Sequence, residues 1–128
     1  MKNAKLSALA LVTLFVSGGA WAACAGSPTP AVALEGNTLC VGSAPNWENQ
    51  EQLRTGGQLW DYKQGPAHPT DPSAQLGTWS TSGNTVTFNY GASAYTFTVY
   101  QSGSNVCLSN GAVDVTGTVK AGTTGGCP

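Results

Sequence analysis

Residues 85–99, TVTFNYGASAYTFTV, carry the clearest secondary-structure signal of this chain. Val86 and Phe88 alternate with polar residues in its first half, and Phe97 and Val99 do the same in its second half. Successive side chains of a β-strand point to opposite faces, so this period of two predicts two half-buried strands. The glycine between the two runs supplies a turn, and the stretch is therefore expected to form an antiparallel hairpin.

Similar signals continue on both sides of this hairpin. Turn sequences stand at Ser82-Gly83 and Ser102-Gly103, and the valines of residues 113–119 supply a last strand or a bulged pair, interrupted by a glycine. Residues Asn46–Arg54 are expected to form a short helix, with an asparagine as its N-cap. The chain thus predicts a mainly β fold, a small antiparallel barrel or sandwich of about seven strands with at most one short helix.

The beginning of the chain is typical of a cleavable export signal. Two early lysines precede an apolar run at residues 6–16, and Ala20-Trp21-Ala22 supplies the small residues of a cleavage site. The run is shorter than the roughly 20 apolar residues that a membrane-spanning helix needs. We therefore expect residues 1–22 to be a signal peptide. Residues 23–128 are expected to form one domain without a transmembrane segment, exported to the periplasm or the extracellular medium.

The charge of the chain limits its partners. The formal net charge is −1, and it becomes more negative once the two lysines of the signal are removed. The remaining cations, Arg54, Lys63 and Lys120, do not form a cluster. Nucleic-acid binding depends on a basic surface that neutralises phosphates, so this partner class is not expected.

Four cysteines, Cys24, Cys40, Cys107 and Cys127, lie in the expected mature chain. An even number of cysteines in a small exported domain predicts a disulfide framework, with three possible connectivities. Cys40 and Cys107 each lie in a strand-like run, so their pairing would close a long loop and leave Cys24 and Cys127 to tie the two ends. Lipid attachment at Cys24 is a less favoured alternative, because Trp21 stands where lipoprotein signals usually carry an aliphatic residue.

Acidic residues and one histidine are the candidates for catalysis. Glu48, Glu51 and Asp61 are possible paired carboxylates of a glycosidase, and His68 stands beside Asp71 in a proline-containing loop. Acids three apart on a short helix are ordinarily solvated, and no nucleophile motif accompanies the histidine. No cysteine or histidine spacing typical of a metal site occurs, so neither a metal nor a cofactor is expected. An enzyme using Glu48, Asp61 or His68 is the third hypothesis for function.

Recognition by aromatic and polar side chains is the leading hypothesis for function. Exported domains often bind partners through exposed aromatic residues, and these are dense around the expected helix and the strand that follows it. We therefore expect a non-catalytic domain that binds a macromolecule or a glycan. Trp79 is not among the candidate binding residues, because it is expected in the core. The second hypothesis is an inhibitor of a hydrolase such as a lysozyme or a protease, because a proline loop on a small rigid domain is preorganised. The candidate binding residues are Trp47, Glu48, Gln50, Trp60, Asp61 and Tyr62.

A further pattern in the middle of the chain resembles known proteins. The run Trp47-Glu48-x-Gln50-Glu51 is followed by Gly56-Gly57-x-Leu59-x-Asp61-Tyr62-Lys63 and then by Gly77-Thr78-Trp79. Together with Cys40 and Cys107, these residues resemble an uncharacterised family of small exported bacterial proteins. The resemblance covers most of residues 39–107. It implies a bacterial source and the pairing of Cys40 with Cys107, and it implies no activity.

Overall fold

Eight antiparallel strands form a closed barrel in a computed structural model that describes residues 24–62 and 73–128. Each strand pairs with its neighbours in the chain, and the last strand pairs with the first. The strands are β1 (Asn37–Ser43), β2 (Asn46–Arg54), β3 (Gln58–Asp61), β4 (Ala74–Ser82), β5 (Thr85–Asn89), β6 (Ala94–Ser102), β7 (Asn105–Ser109) and β8 (Asp114–Ala121). The predicted mainly β fold is confirmed, as a barrel rather than a sandwich. The expected signal peptide and His68 lie outside the described residues.

The helix expected at Asn46–Arg54 is wrong, because this segment is strand β2. It pairs with β1 along most of its length and with β3 over its second half. A nine-residue helix is marginal on its own, so two ladders of backbone hydrogen bonds outweigh its weak propensity. The described residues contain one short helical element, a 3-10 turn at Ala31–Leu34. Strand β2 therefore raises the number of strands from the expected seven or so to eight.

Apolar side chains fill the inside of the barrel. The predicted alternation is confirmed, since Val86, Phe88, Phe97 and Val99 are buried, and the rings of Phe88 and Phe97 lie 6.0 Å apart. An eight-stranded barrel has an interior just wide enough for side chains to fill. The other buried residues of this core are Ala31, Leu34, Leu39, Val41, Leu53, Leu59, Trp79, Val106, Leu108 and Val115.

One end of the barrel is closed by an apolar plug, which we call the plugged end and which consists of Ala31, Leu34 and Trp79. The 3-10 turn places Ala31 and Leu34 over this end, and both are fully buried. The amide of Ala31 donates to the carbonyl of Gly83, and the indole Nε1 of Trp79 donates to the carbonyl of Arg54 at 2.8 Å. Trp79 is therefore a core residue, as the sequence predicts.

Two glycines allow neighbouring backbones to approach closely. A Cβ atom at Gly77 would lie 1.9 Å from the carbonyl oxygen of Asn89, and one at Gly117 would lie 2.0 Å from that of Cys40. Such distances are far inside van der Waals contact, so only glycine fits there without a backbone shift. Gly117 therefore does not divide the last strand, and it lets β8 pack against β1 where the barrel closes.

The disulfides join Cys24 to Cys107 and Cys40 to Cys127, so the expected pairing of Cys40 with Cys107 is wrong. Cys40 lies on β1 and Cys107 on β7, and β8 runs between them. Adjacent strands are about 4.8 Å apart, which puts residues two strands apart beyond the roughly 7 Å Cα separation that a disulfide tolerates. The observed bridges instead fasten chain segments that cross the outside of the barrel. Two disulfides indicate an oxidising compartment other than the cytoplasm.

Candidate functional site

The six predicted binding residues do not form one surface. Alternation along β2 and β3 sends Asp61 into the barrel and Trp60 to its outer face. Glu48 lies at the irregularity where the pairing of β1 with β2 shifts, and it packs against Gly42. The remaining three, Trp47, Gln50 and Tyr62, lie against the last residues of the chain.

A C-terminal segment, residues 122–128, covers the outer face of β1 and β2. The amide of Cys127 donates to Gln50 Oε1 at 2.6 Å, and the indole Nε1 of Trp47 donates to the carbonyl of Pro128 at 2.9 Å. Gly126 lies so close to the ring of Tyr62 that a Cβ atom there would be 2.6 Å from Cε2. Trp47 and Gln50 are consequently buried. These recognition candidates bind the protein's own chain, which a local sequence pattern does not reveal.

The end of the barrel opposite the plug carries two buried carboxyl groups and two partly buried tyrosines, and we call it the polar end: Glu51, Asp61, Tyr90 and Tyr95. Glu51 and Asp61 are direct partners across β2 and β3, and both are almost completely buried. The hydroxyl of Tyr90 donates to Glu51, with its oxygen 3.1 Å from Oε1 and 3.4 Å from Oε2. The ring of Tyr95 lies 6.2 Å from that of Tyr90.

The environment of Tyr90 keeps its hydroxyl protonated. Burial first, and then the negative charge of Glu51, raise the pKa of Tyr90 well above its ordinary value near 10. The hydrogen bond to Glu51 and the nearby groups of Tyr95 and Asp61 act in the same direction. The polar end therefore holds a neutral phenol as a hydrogen-bond donor to a buried carboxyl group.

Trp60 belongs to a different surface, the outer face of β2, β3 and β4. We call this surface the Trp60 face: Gln52, Arg54, Gln58, Trp60 and Gln75. The pairing register sets Trp60 opposite Gln52 on one side and Gln75 on the other, and it sets Arg54 opposite Gln58. The register of three adjacent strands therefore brings the five side chains together.

Arg54 is held in place at the centre of this face. Its Nε and Nη2 atoms donate to Gln52 Oε1 at 3.0 and 2.8 Å. Its Cζ atom lies 4.0 Å from the centroid of the Trp60 ring, which is a cation–π arrangement. The indole Nε1 of Trp60 in turn donates to Gln58 Oε1 at 3.1 Å. The guanidinium is thus positioned by an amide oxygen and an aromatic ring.

The sequence contained a signal for this arrangement. Residues 52, 54, 58 and 60 flank the turn at Gly56-Gly57, and a hairpin through that turn places all four on one face. The helix expected at Asn46–Arg54 hid this pattern, because a helix that ends at Arg54 does not pair with the strand that carries Trp60. Gln52, Arg54, Gln58 and Gln75 were therefore missed.

A second open surface lies beside the Cys24–Cys107 disulfide. It is a groove with a cavity volume of about 620 Å³, between residues 25–27 and the outer face of β6 to β8. Tyr100, Asn105 and Thr116 are among its lining residues. Gln101 Oε1 is buried at this groove without a hydrogen-bond partner among the described residues. The charged groups of the described chain lie outside this lining.

Two further properties concern the described residues alone. They contain no helix with the length and apolar character needed to cross a bilayer. In the ranges 24–62 and 73–128, no three histidine, cysteine or acidic side chains form a group suited to hold a metal ion.

In comparisons with known proteins, no family model, no curated protein and no solved structure matches this chain.

Proposed function

We propose that this protein is an exported, non-catalytic β-barrel of the bacterial periplasm or the extracellular medium, and that it binds a glycan or another macromolecule. The binding surface is the Trp60 face. The observation that carries the proposal is the Arg54 guanidinium, which Gln52 holds against the Trp60 ring, and the other members of the Trp60 face are neutral.

Preorganisation is the first support for this surface. A free arginine side chain loses rotamer freedom when it binds a ligand, at a cost of about 0.5–1.5 kcal/mol. Arg54 is already ordered by two hydrogen bonds and a ring contact. Less free energy is therefore lost when a ligand meets this guanidinium than when it meets a mobile surface arginine.

The chemistry of the surrounding side chains is the second support. Gln58 and Gln75 are exposed at the edges of the Trp60 face. Amide groups donate and accept hydrogen bonds, so they match the hydroxyl groups of a sugar. An arginine and a tryptophan in contact are also the residue types most often dominant in binding surfaces.

The barrel interior is not the binding site that we propose. Most of its inward positions are occupied by packed apolar side chains. Glu51 and Asp61 are buried, and the hydroxyl of Tyr90 donates to Glu51. A glycosidase needs its two carboxyl groups on either side of a bound sugar, so we assign these two to the stability of the polar end.

A binding assay with matched variants tests the proposal. The mature protein is applied to an array of bacterial cell-envelope polysaccharides and soluble oligosaccharides, and hits are measured by calorimetry. Replacing Trp60→Ala is expected to weaken a detected interaction by about tenfold or more, because it removes the platform under Arg54. The Tyr100→Ala variant is the matched control, since it removes an aromatic side chain on another outer strand.

Each outcome has a definite meaning once both variants are shown to keep two disulfides by mass and a native circular dichroism spectrum. Loss of binding in Trp60→Ala with retention in Tyr100→Ala supports the proposal. The reverse pattern assigns binding to the groove beside Cys24–Cys107 and contradicts the Trp60 face. Inhibition of lysozyme or a protease by the barrel at micromolar concentration, with no glycan bound, would replace the proposal by the inhibitor hypothesis.

A further inference from the structure

We infer that the Trp60 face is selective for carboxylate-bearing sugars, the uronic acid class, over neutral sugars. The inference rests on the proposed function and specifies its ligand. It follows from which N–H groups of Arg54 are already used and from where the neighbouring acidic residues lie.

The guanidinium of Arg54 presents one edge to the ligand. Gln52 Oε1 accepts hydrogen bonds from Nε and Nη2, so the Nε edge of the planar group is occupied. The edge formed by Nη1 and the second N–H of Nη2 lies in the same plane, and the bonds to Gln52 do not use it. A carboxylate binds to such an edge through two parallel hydrogen bonds, which are about twice as strong as bonds between neutral groups.

Strand alternation keeps the nearest carboxyl groups away from this edge. Glu51 precedes Gln52 on β2, and Asp61 follows Trp60 on β3, but both point into the barrel. On the outer face the immediate partners of Arg54 are Gln52, Gln58 and Trp60, which are neutral. Among residues 24–62 and 73–128, no carboxylate is recorded against the positive charge of Arg54, and an anionic ligand is complementary to it.

The other side chains of the face add donors and select a sugar. Gln58 Oε1 accepts from the Trp60 indole, so the Nε2 group of Gln58 is directed away from the ring. Gln75 Nε2 donates to the carbonyl of Gly77, which leaves its exposed Oε1 as an acceptor. A ring that bears one carboxylate and several hydroxyls matches this set. The carboxylate side chains of an acidic peptide supply no hydroxyl groups for the two glutamines.

Trp60 has a supporting role in this site. The guanidinium lies over the indole, so the ring face beneath it is covered. The ring fixes the plane of the guanidinium and thereby the direction of the free edge. Arg54 is accordingly the residue that contacts the carboxylate, and Trp60 and Gln52 are positioning residues.

A matched pair of ligands tests the selectivity. Binding of an oligogalacturonate and of its carboxyl-reduced counterpart is measured by calorimetry on the mature protein. The oligogalacturonate is expected to bind about tenfold or more tightly than the reduced form, and this ratio is expected to fall as salt is raised. The Arg54→Lys variant keeps the charge but loses the planar fork, and it is expected to reduce the ratio to about threefold or less.

The outcomes separate this inference from the proposed function. Equal binding of both ligands, lost in Trp60→Ala, overturns the carboxylate selectivity and leaves the glycan-binding function standing. Selectivity that survives in Arg54→Lys also overturns it, because the fork is then unnecessary. Binding of a poly-glutamate peptide with no binding of either oligosaccharide overturns the sugar assignment. The Tyr100→Ala variant is expected to keep both the affinity and the ratio of the wild-type protein.

Discussion

The two ends of the barrel are built from opposite chemistry. The plugged end is closed by Ala31, Leu34 and Trp79, whose buried surface is mainly apolar. The polar end places a carboxyl group of Glu51 beneath the hydroxyl of Tyr90. Apolar burial contributes a free energy that does not depend on pH, whereas a buried hydrogen-bonded pair of titratable groups does. One small barrel thus has two sources of stability, which respond to different perturbations.

The largest effect is expected at the plugged end. The Leu34→Ala substitution removes a side chain that is 1% exposed and leaves a cavity over the core. The free energy of unfolding is expected to fall by about 3 kcal/mol, measured by urea denaturation at pH 7. The control is Val32→Ala on the same 3-10 turn, where the side chain is 57% exposed and the expected change is within about 0.5 kcal/mol. Equal effects of the two substitutions would show that the plug adds no stability.

A smaller effect is expected at the polar end. The Tyr90→Phe substitution keeps the ring and removes the O–H that donates to both oxygens of Glu51. The loss of a hydrogen bond that leaves a buried acceptor unsatisfied costs about 1–3 kcal/mol, so we expect a loss of about 2 kcal/mol at pH 7. The control is Tyr95→Phe, which removes only the hydroxyl of the neighbouring ring. It is expected to lower the free energy of unfolding by less than about 1 kcal/mol. If both variants were as stable as the wild type, the contact of Tyr90 with Glu51 would have no role in stability.

The same contrast explains what was predictable from the sequence. Strands β5 and β6 were identified because one face packs on the core and the other meets solvent, so apolar and polar residues alternate. Strand β2 was missed because polar side chains are buried on both of its faces. Its inner face carries Glu51, and its outer face carries Gln50 beneath the C-terminal segment. Contacts between distant parts of the chain remove the alternation there.

Closure of the barrel also explains why the disulfide pairing was predicted wrongly and why the candidate site was predicted only in part. The pairing of cysteines depends on which strands become neighbours when the barrel closes, and no local pattern encodes that. Trp60 was identified as a candidate from its residue type, but Arg54 required the hairpin register. Trp47 and Gln50 were assigned to a binding surface, and the segment that covers them lies more than 70 residues away.

The smallest effect is the pH dependence that distinguishes the two ends. In the unfolded chain Tyr90 loses its proton near pH 10, while in the folded barrel burial and Glu51 raise its pKa well above that value. Between the two pKa values the native state holds the proton and the unfolded state does not. The contribution of Tyr90 is therefore fully present below pH 10 and is lost as the pH rises above it, at up to about 1.4 kcal/mol per pH unit.

Urea denaturation between pH 8 and about pH 11 measures this slope, and subtraction of one variant's curve from another cancels groups that titrate alike in all variants. The difference between wild type and Tyr90→Phe is expected to shrink above pH 10, because only the wild type loses stability through this hydroxyl. The difference between wild type and Leu34→Ala is expected to stay constant over the same range. A constant difference for Tyr90→Phe as well would mean that Tyr90 titrates alike in the folded and unfolded states, and the polar end would then differ from the plug in composition alone.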